Sequence, residues 1–362
     1  MTRILINGNF LCRNITGIER FAYEICACLD EILINDTDSA IHFSILVPKN
    51  ARIIPVYRKI EIIRAKPITS FAKWDSILFS RMCRKYNATS LNFSNTAPLG
   101  KKCGFAFLHD IYAYDFPDDF ASSLKDRLIY TYSIMNYKNI ARNAKRIFTV
   151  SEFSKNQIKN AYNVNDTRIS VIPNGWEHFK SVKEDDQVFD RFPILQEKPF
   201  FFTLGSLQKR KNLAWILDYA SRHTSQFFAI SGKSIKGLYS QETSQLSNLQ
   251  NVLLLGYLND GEVKALMRKC KAFIFPSYYE GFGIPPLEAL SVGAKIIVSN
   301  NASLPEIYGQ SATYIDAKSI DCNLDELSAI PIKTEEIERV LSKYTYKNGA
   351  KKLYNILKCD LT

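Results

Sequence analysis

Between Phe275 and Leu290 the chain reads FPSYYEGFGIPPLEAL, which sets Glu280 and Glu288 eight positions apart around a glycine-rich turn. An apolar strand ends at Phe275, and a helix opens at Pro285 and Pro286, where a missing N–H costs little. The amides of Gly281, Phe282, Gly283 and Ile284 are then not consumed by the helix and can face an anion. The bare glycines let a ligand approach the backbone. Carboxylates beside such a turn are poor phosphate ligands but good acceptors for sugar hydroxyls. A second strand–turn–helix segment, Leu204 to Leu213, carries Lys209, Arg210 and Lys211 in a row at a helix start. The macrodipole disfavours cations there, so the placement makes sense when a diphosphate joins them; an exposed basic loop is the alternative.

Strand-like apolar runs alternate with amphipathic stretches along the whole chain, the pattern of α/β folds with parallel sheets. Strands are expected at Arg3–Asn7, Phe43–Val47, Ile60–Ile63, Gly104–Leu108, Ile147–Val150 and Arg168–Ile172, with Ser151 capping a helix. Residues 181–198 are polar and lack a period, so they read as a linker. The alternation then restarts at Pro199–Leu204 and runs to a short strand at Ser311–Asp316, with helices at Thr334–Lys343 and about Lys347–Lys358 closing the chain. The expected division is an N-terminal Rossmann-like domain over 1–180, the linker 181–198, a second Rossmann-like domain over 199–345 and a C-terminal helix in 346–362. Whether that helix returns to the first domain stays open. Ligand belongs at the carboxyl ends of the strands.

Composition narrows the classes. With 362 residues, 46% hydrophobic and 23% charged, the chain is ordinary globular material for about two domains. No apolar run approaches the roughly 20 residues of a membrane span. The eight cysteines are scattered, and none shows Cys-x-x-Cys spacing, so a reduced, cytoplasmic setting is expected. The net charge of +11 falls mostly in residues 1–180, with about 25 Lys and Arg against about 16 Asp and Glu. An anionic partner of that half, such as a membrane surface or a lipid diphosphate, is one reading; a solvated basic surface is the other. Lys73 to Tyr86 reads either as an amphipathic helix on an anionic membrane or as a helix packed on the core. Nucleic acid is disfavoured, because no aromatic-interleaved basic motif or zinc module is present. Asp36-Thr37-Asp38 has the form of a two-aspartate metal signature but sits in a polar turn, and the four histidines lack metal-ligand spacing, so no metal and no other cofactor is expected.

These segments resemble glycosyltransferase family 4, the glycosyl transferases group 1. Its Glu-x7-Glu signature with a Gly-Phe-Gly core matches Glu280 to Glu288, and NASLPEI at Asn301–Ile307 matches the stretch that follows. Ser151–Ser154 and Val171–Gly175 match the end of the family's first domain, His109-Asp110 an acceptor-side histidine, and Gly17–Arg20 the first glycine-containing loop and helix. The resemblance implies the GT-B fold, two Rossmann-like domains facing across a cleft. It implies that Lys211, with Arg210 and Lys209, neutralises a donor diphosphate, and that the amides of Gly281, Phe282, Gly283 and Ile284 hold its distal phosphate. Gly17 would admit the phosphates to the first loop, Glu280 would bind donor-sugar hydroxyls and Glu288 the ribose. The backbone at Leu258 would read the base edge, and His109 would reach the sugar from the other domain. Many members carry arginine where this chain has Ser206, which shifts cation load onto Lys209 or Arg210.

The expected function is a retaining, metal-independent hexosyltransferase of the bacterial O-antigen or polysaccharide type, cytoplasmic, with a peripheral position on the cytoplasmic face of a membrane left open. The donor would be a nucleotide diphosphate-sugar, with mannose or rhamnose slightly favoured. The acceptor would be a glycan or a lipid-diphosphate-linked oligosaccharide. A catalytically silent nucleotide-sugar-binding subunit and a nucleotide-sugar epimerase on the same scaffold are the alternatives.

Overall fold

The computed structural model describes residues 2–36, 40–204, 208–232 and 249–361. Two compact units emerge, Met1–Gly175 with Thr345–Thr362, and Trp176–Tyr344. Each is a parallel sheet covered by helices.

The first unit holds seven strands: β1 (Thr2–Asn7), β2 (Ile41–Pro48), β3 (Glu61–Ala65), β4 (Ala88–Asn92), β5 (Phe105–Phe107), β6 (Arg146–Thr149) and β7 (Ile169–Val171). They pair in the order β3-β2-β1-β4-β5-β6-β7. The order reverses between β1 and β4, so loops leaving those two strands diverge to opposite faces and open a crevice at their carboxyl ends. The strands are near-continuous apolar runs because both faces are covered. One face lies under the helices Gly17–Asn35 and Tyr346–Leu361, with Phe21, Ile25, Tyr346, Leu353 and Leu357 in a single cluster. The last helix is tied down further by Arg146 on Asp360, at 2.5 and 2.6 Å, and by Asp36, which accepts from Tyr354 and Lys358 at 2.8 and 3.0 Å. Asp36, read in sequence as half of a metal signature, is thus a partner of the closing helix; Thr37 and Asp38 lie outside the described residues.

The second unit repeats the plan with six strands: β8 (Phe200–Leu204), β9 (Phe227–Ser231), β10 (Val252–Gly256), β11 (Ala272–Phe275), β12 (Ile296–Ser299) and β13 (Thr313–Ile315). Their order is β10-β9-β8-β11-β12-β13, all parallel, and the reversal falls between β8 and β11. The stretch 181–198, expected as a linker, is a correction. It forms two short helices, Gln187–Arg191 and Ile194–Glu197, that bury Val188 and Leu195, and Arg191 pairs with Glu262. Three apolar anchors, Val188, Phe189 and Leu195, among charged residues carry too little periodicity to announce a helix.

For Lys73 to Tyr86 the structure shows the packing that one of the two readings asks for. The chain is α-helical over Phe71–Lys73, widens into a π-helical turn over Trp74–Phe79 and continues as Ser80–Lys85. Trp74, Phe79 and Cys83 join Leu5, Leu46 and Ile63 in a core cluster, so one side of this helix is packed. Among the described residues no helix is long and apolar enough to cross a membrane.

Candidate functional site

The two motifs singled out in the sequence leave the carboxyl ends of β8 and β11, the adjacent strands at the second sheet's switch point. Gly205 and Ser206 lie outside the described residues, but the turn that follows is clear. Lys209–Lys211 form one 3-10 turn, and Asn212 closes it at φ +56°, in the left-handed region. The Asn212 amide side chain donates to Pro276 O at 3.0 Å and Ala317 O at 2.9 Å, and Tyr278 N donates to Arg210 O at 2.8 Å. These bonds fasten the cation turn to the glycine-rich turn.

The cations then meet the first carboxylate of the signature. Lys211 Nζ lies 2.5 Å from Glu280 Oε1, and Arg210 Nη1 lies 3.2 Å from Glu280 Oε2. Burial alone would raise the Glu280 carboxyl, yet the charges of Lys211 and Arg210 outweigh it and hold the group below the ordinary carboxylate range. Lys211 also sits over the Phe275 ring, 4.8 Å from its centroid. Lys209 is exposed on the same turn.

The glycine-rich turn is held from behind. Ser303 Oγ donates to Glu280 O at 2.9 Å, and the Tyr308 hydroxyl donates to Gly283 O. Gly283 has φ +86°, and a Cβ there would lie 2.6 Å from Leu304 Cδ2, so a side chain would be strained by the backbone and would displace the end of Leu304. Among the described residues the Phe282 and Gly283 amides donate to no protein acceptor, and Ile284 opens the helix Ile284–Ser291 with its amide unused by that helix. Cations on one side and open amides on the other make a polar, anion-attracting turn. The Asn301–Ile307 stretch supplies its backing through Ser303 and Leu304. Sequence reading noted that stretch but not its role, which depends on contacts about 20 residues away in the chain.

Glu288, the second carboxylate, is in this unit too, on the helix that follows. Its Oε1 lies 2.9 Å from His178 Nε2, with side chains 15% and 6% exposed. His178 is one of the four histidines without metal-ligand spacing, and a contact across 110 positions leaves no local signal. Leu258 follows the edge strand β10 and is buried, and among the described residues no hydrogen bond links it to Lys211, Glu280 or Glu288.

His109 and Gly17 belong to the first unit. His109 follows β5 and is 4% exposed, stacked on Phe107 at 5.5 Å and edge-on to Phe21 at 5.1 Å. Its Nε2 is 2.7 Å from Phe93 O, a group that only accepts, so Nε2 carries the proton. Burial pushes the imidazole below its ordinary pKa, leaving a neutral ring whose Nδ1 is an acceptor. Gly17 is the exposed first residue of the helix Gly17–Asn35, capped by Thr16 and Glu19; its φ is not positive, so the backbone does not demand glycine there. At the β1/β4 switch point lies a polar cluster not foreseen. Asp75 accepts from Asn7 Nδ2 at 2.7 Å, Asn9 Nδ2 at 3.1 Å and Thr96 Oγ1 at 2.9 Å, and Trp74 Nε1 donates to Asn7 Oδ1 at 2.8 Å.

Two doubly wound parallel sheets, one with a cation-and-amide turn at its switch point, define an α/β protein of the GT-B class. Residues 184–347, a little under half of the chain, match the family described as Glycosyl transferases group 1. Among curated relatives, the O-antigen chain mannosyltransferase RfbU of Salmonella typhimurium is 25% identical over 247 residues, covering 67% of this chain. The aligned stretch spans 65% of that relative's length. Among solved structures, sucrose-phosphate synthase from Thermosynechococcus elongatus superposes with a TM-score of 0.72 over 99% of this chain and 98% of that one, at 14% identity. HepE from Anabaena, in complex with UDP-glucose, gives a TM-score of 0.64 at 16% identity over 99% of this chain and 100% of that one.

Proposed function

We propose that the chain transfers a hexose or deoxyhexose from a nucleotide diphosphate-sugar to a glycan or lipid-linked glycan, with retention of configuration and without a metal. The observation that carries this reading is the convergence of Lys211 and Arg210 on Glu280 beside the open amides of Phe282, Gly283 and Ile284. A diphosphate brings negative charge to the same cations, and charge-assisted bonds to it are worth roughly twice neutral ones. As the sugar–phosphate bond breaks, that charge grows, and preorganised cations and amides stabilise it most where it develops. Glu280, once its cations are shared with phosphate, accepts from donor-sugar hydroxyls. Glu288, braced by His178, accepts from the ribose. His109 Nδ1 accepts a sugar hydroxyl from the first unit, and Leu258 meets the base. The departing phosphate oxygen takes the acceptor's proton on the face it leaves; a trapped covalent glycosyl–enzyme adduct would refute this step.

The mannosyltransferase named among the relatives favours mannose, and a structural neighbour solved with UDP-glucose supports a nucleotide-sugar donor. A thermal-shift screen with GDP, UDP, dTDP and ADP tests the reading, because a ligand bound only by the folded state raises the melting point. One nucleotide should stand out; no shift with any of them sinks the donor site.

A further inference from the structure

The helix Leu124–Asn143 buries one of its sides. Tyr137, Ile140 and Ala141 enter a core cluster of the first unit, and Tyr130 and Ile134 pack against it. The opposite side carries Leu124, Leu128, Thr131, Met135, Lys138 and Arg142, all exposed, at successive spacings of four, three, four, three and four residues. Alternation of four and three is the spacing of a seam between two helices. A row of large exposed apolar side chains marks an interaction surface. The Thr131 hydroxyl donates to Arg127 O at 2.8 Å, so it enters an apolar seam already satisfied.

The stripe is apolar in its first half and basic in its second. Before its start, the 3-10 turn Pro117–Phe120 carries the exposed Asp118. Phe120 packs on Tyr130, ring centroids 6.1 Å apart, which holds that turn along the helix. Among the described residues Asp118, Lys138 and Arg142 form no ion pair.

This polarity selects the partner. An identical helix, laid antiparallel about a two-fold axis between Ile129 and Tyr130, sets Leu124 against Met135 and Leu128 against Thr131. The same register carries Lys138 and Arg142 of one copy past the start of the other helix, to its Asp118 turn. A parallel copy would set Lys138 on Lys138 and Arg142 on Arg142. A purely apolar surface would leave these cations without counter-charge, and an anionic one would meet Asp118 with like charge. We propose that this face pairs two copies of the chain, with the helices antiparallel, an apolar middle, and Asp118 facing Lys138 and Arg142 at both ends. The pairing lies on the first unit and does not rest on how the turns of the second unit are read. A helix of 20 residues spans about 30 Å, which gives a contact smaller than a standard interface, so the dimer is weak.

Sedimentation velocity of the full chain tests it. The wild type should pass from monomer to dimer between about 1 and 200 μM, with Kd on the order of 10 μM. Leu124→Ser with Leu128→Ser removes two leucines per copy and should raise Kd roughly 100-fold, leaving a monomer across the range. Asp118→Lys alone, or Lys138→Asp with Arg142→Asp, should raise it roughly tenfold. The chain carrying all three charge changes should return toward the wild type, a rescue that only an antiparallel pair predicts. Ile53→Ser with Val56→Ser removes two exposed apolar side chains on another loop of the same unit and should change Kd by less than about twofold. A wild type that stays monomeric, with or without binding to anionic vesicles through the same leucines, would overturn the proposal. So would a dimer that survives the leucine variant, equal losses in the Ile53 and Val56 variant, or a triple charge variant no tighter than its parents. At the dilute end all variants should keep the wild-type melting point and nucleotide-induced shift, so that changes in Kd read the seam rather than folding.

Discussion

Replacing Lys211 by alanine removes the nearer of two cations from a carboxylate whose side chain is 7% exposed. Breaking a buried pair by deleting one partner costs about 3–5 kcal/mol, and Arg210 at 3.2 Å retains part of the interaction, so a loss of about 2–3 kcal/mol is expected. The pH dependence should change sign with it. In the wild type the Glu280 carboxyl is held below its ordinary value, so its stabilisation is complete above the carboxylate range and is lost as pH falls through the depressed folded pKa. In Lys211→Ala burial, the largest influence on this group, is opposed mainly by Arg210, and the carboxyl moves above its ordinary value. The variant then loses stability as pH rises through the carboxylate range. Urea unfolding between pH 4 and 7 should show the gap between the two proteins narrowing toward the acid end and widest at neutrality.

The same substitution separates structure from binding. One hydrogen bond to a charged group is worth about 1.5–3 kcal/mol, so affinity for a nucleoside diphosphate should fall roughly 10- to 150-fold, while affinity for the nucleoside stays near wild type. Adding Glu280→Gln relieves the uncompensated carboxylate and should restore much of the stability without restoring diphosphate affinity. Calorimetric titration with the diphosphate and the nucleoside reads both. Equal weakening of the two ligands, or a stability difference independent of pH, would refute the reasoning.

Gly283→Ala forces a Cβ to 2.6 Å from Leu304 at φ +86°; a melting-point drop worth about 1–3 kcal/mol and a blunted diphosphate response are expected, and a silent variant would show the turn to be adaptable. His178→Phe should weaken nucleoside binding roughly tenfold, about one hydrogen bond to a charged group, while pyrophosphate binding is unchanged; His178→Gln should recover part of the loss in the same titration. Asp75→Ala leaves the Asn7, Asn9 and Thr96 donors without their shared acceptor in a site 1% exposed, and urea unfolding should show a loss of about 3 kcal/mol or more with the nucleotide shift of the second unit intact.

The cation turn and the glycine-rich turn were legible because their parts are local. A strand end, glycines, two prolines and a row of cations each mark a backbone state within a few residues. The partners that shape them were not: Ser303 and Tyr308 reach the glycine-rich turn through tertiary contacts, and His178 meets Glu288 only after the second unit has closed. Two elements of the first unit also escaped. The strand Ala88–Asn92 is short and half polar, so no alternation stands out. The helix Leu124–Asn143 leaves Leu124 81% and Leu128 71% exposed, so its apolar residues do not trace one buried stripe. Amphipathic periodicity reports burial, and where burial is partial it falls silent.

The two sheets put unlike chemistry at equivalent places. At the β8/β11 switch point the groups are formal charges and open amides, with Lys211, Arg210 and Glu280 able to exchange partners when another anion arrives. At the β1/β4 switch point they are carboxamides and hydroxyls, satisfied among themselves around Asp75, whose carboxyl is pushed up by burial. A cluster whose donors and acceptors already saturate one another gains little from a ligand, and opening it exposes buried polar groups. The first cluster is therefore built to bind. The second is built to hold the loops after β1 and β4, and with them the strand ends beside His109, in one arrangement. Substitutions at the β8/β11 point should move nucleotide affinity together with stability, and those at the β1/β4 point stability while nucleotide affinity stays near wild type.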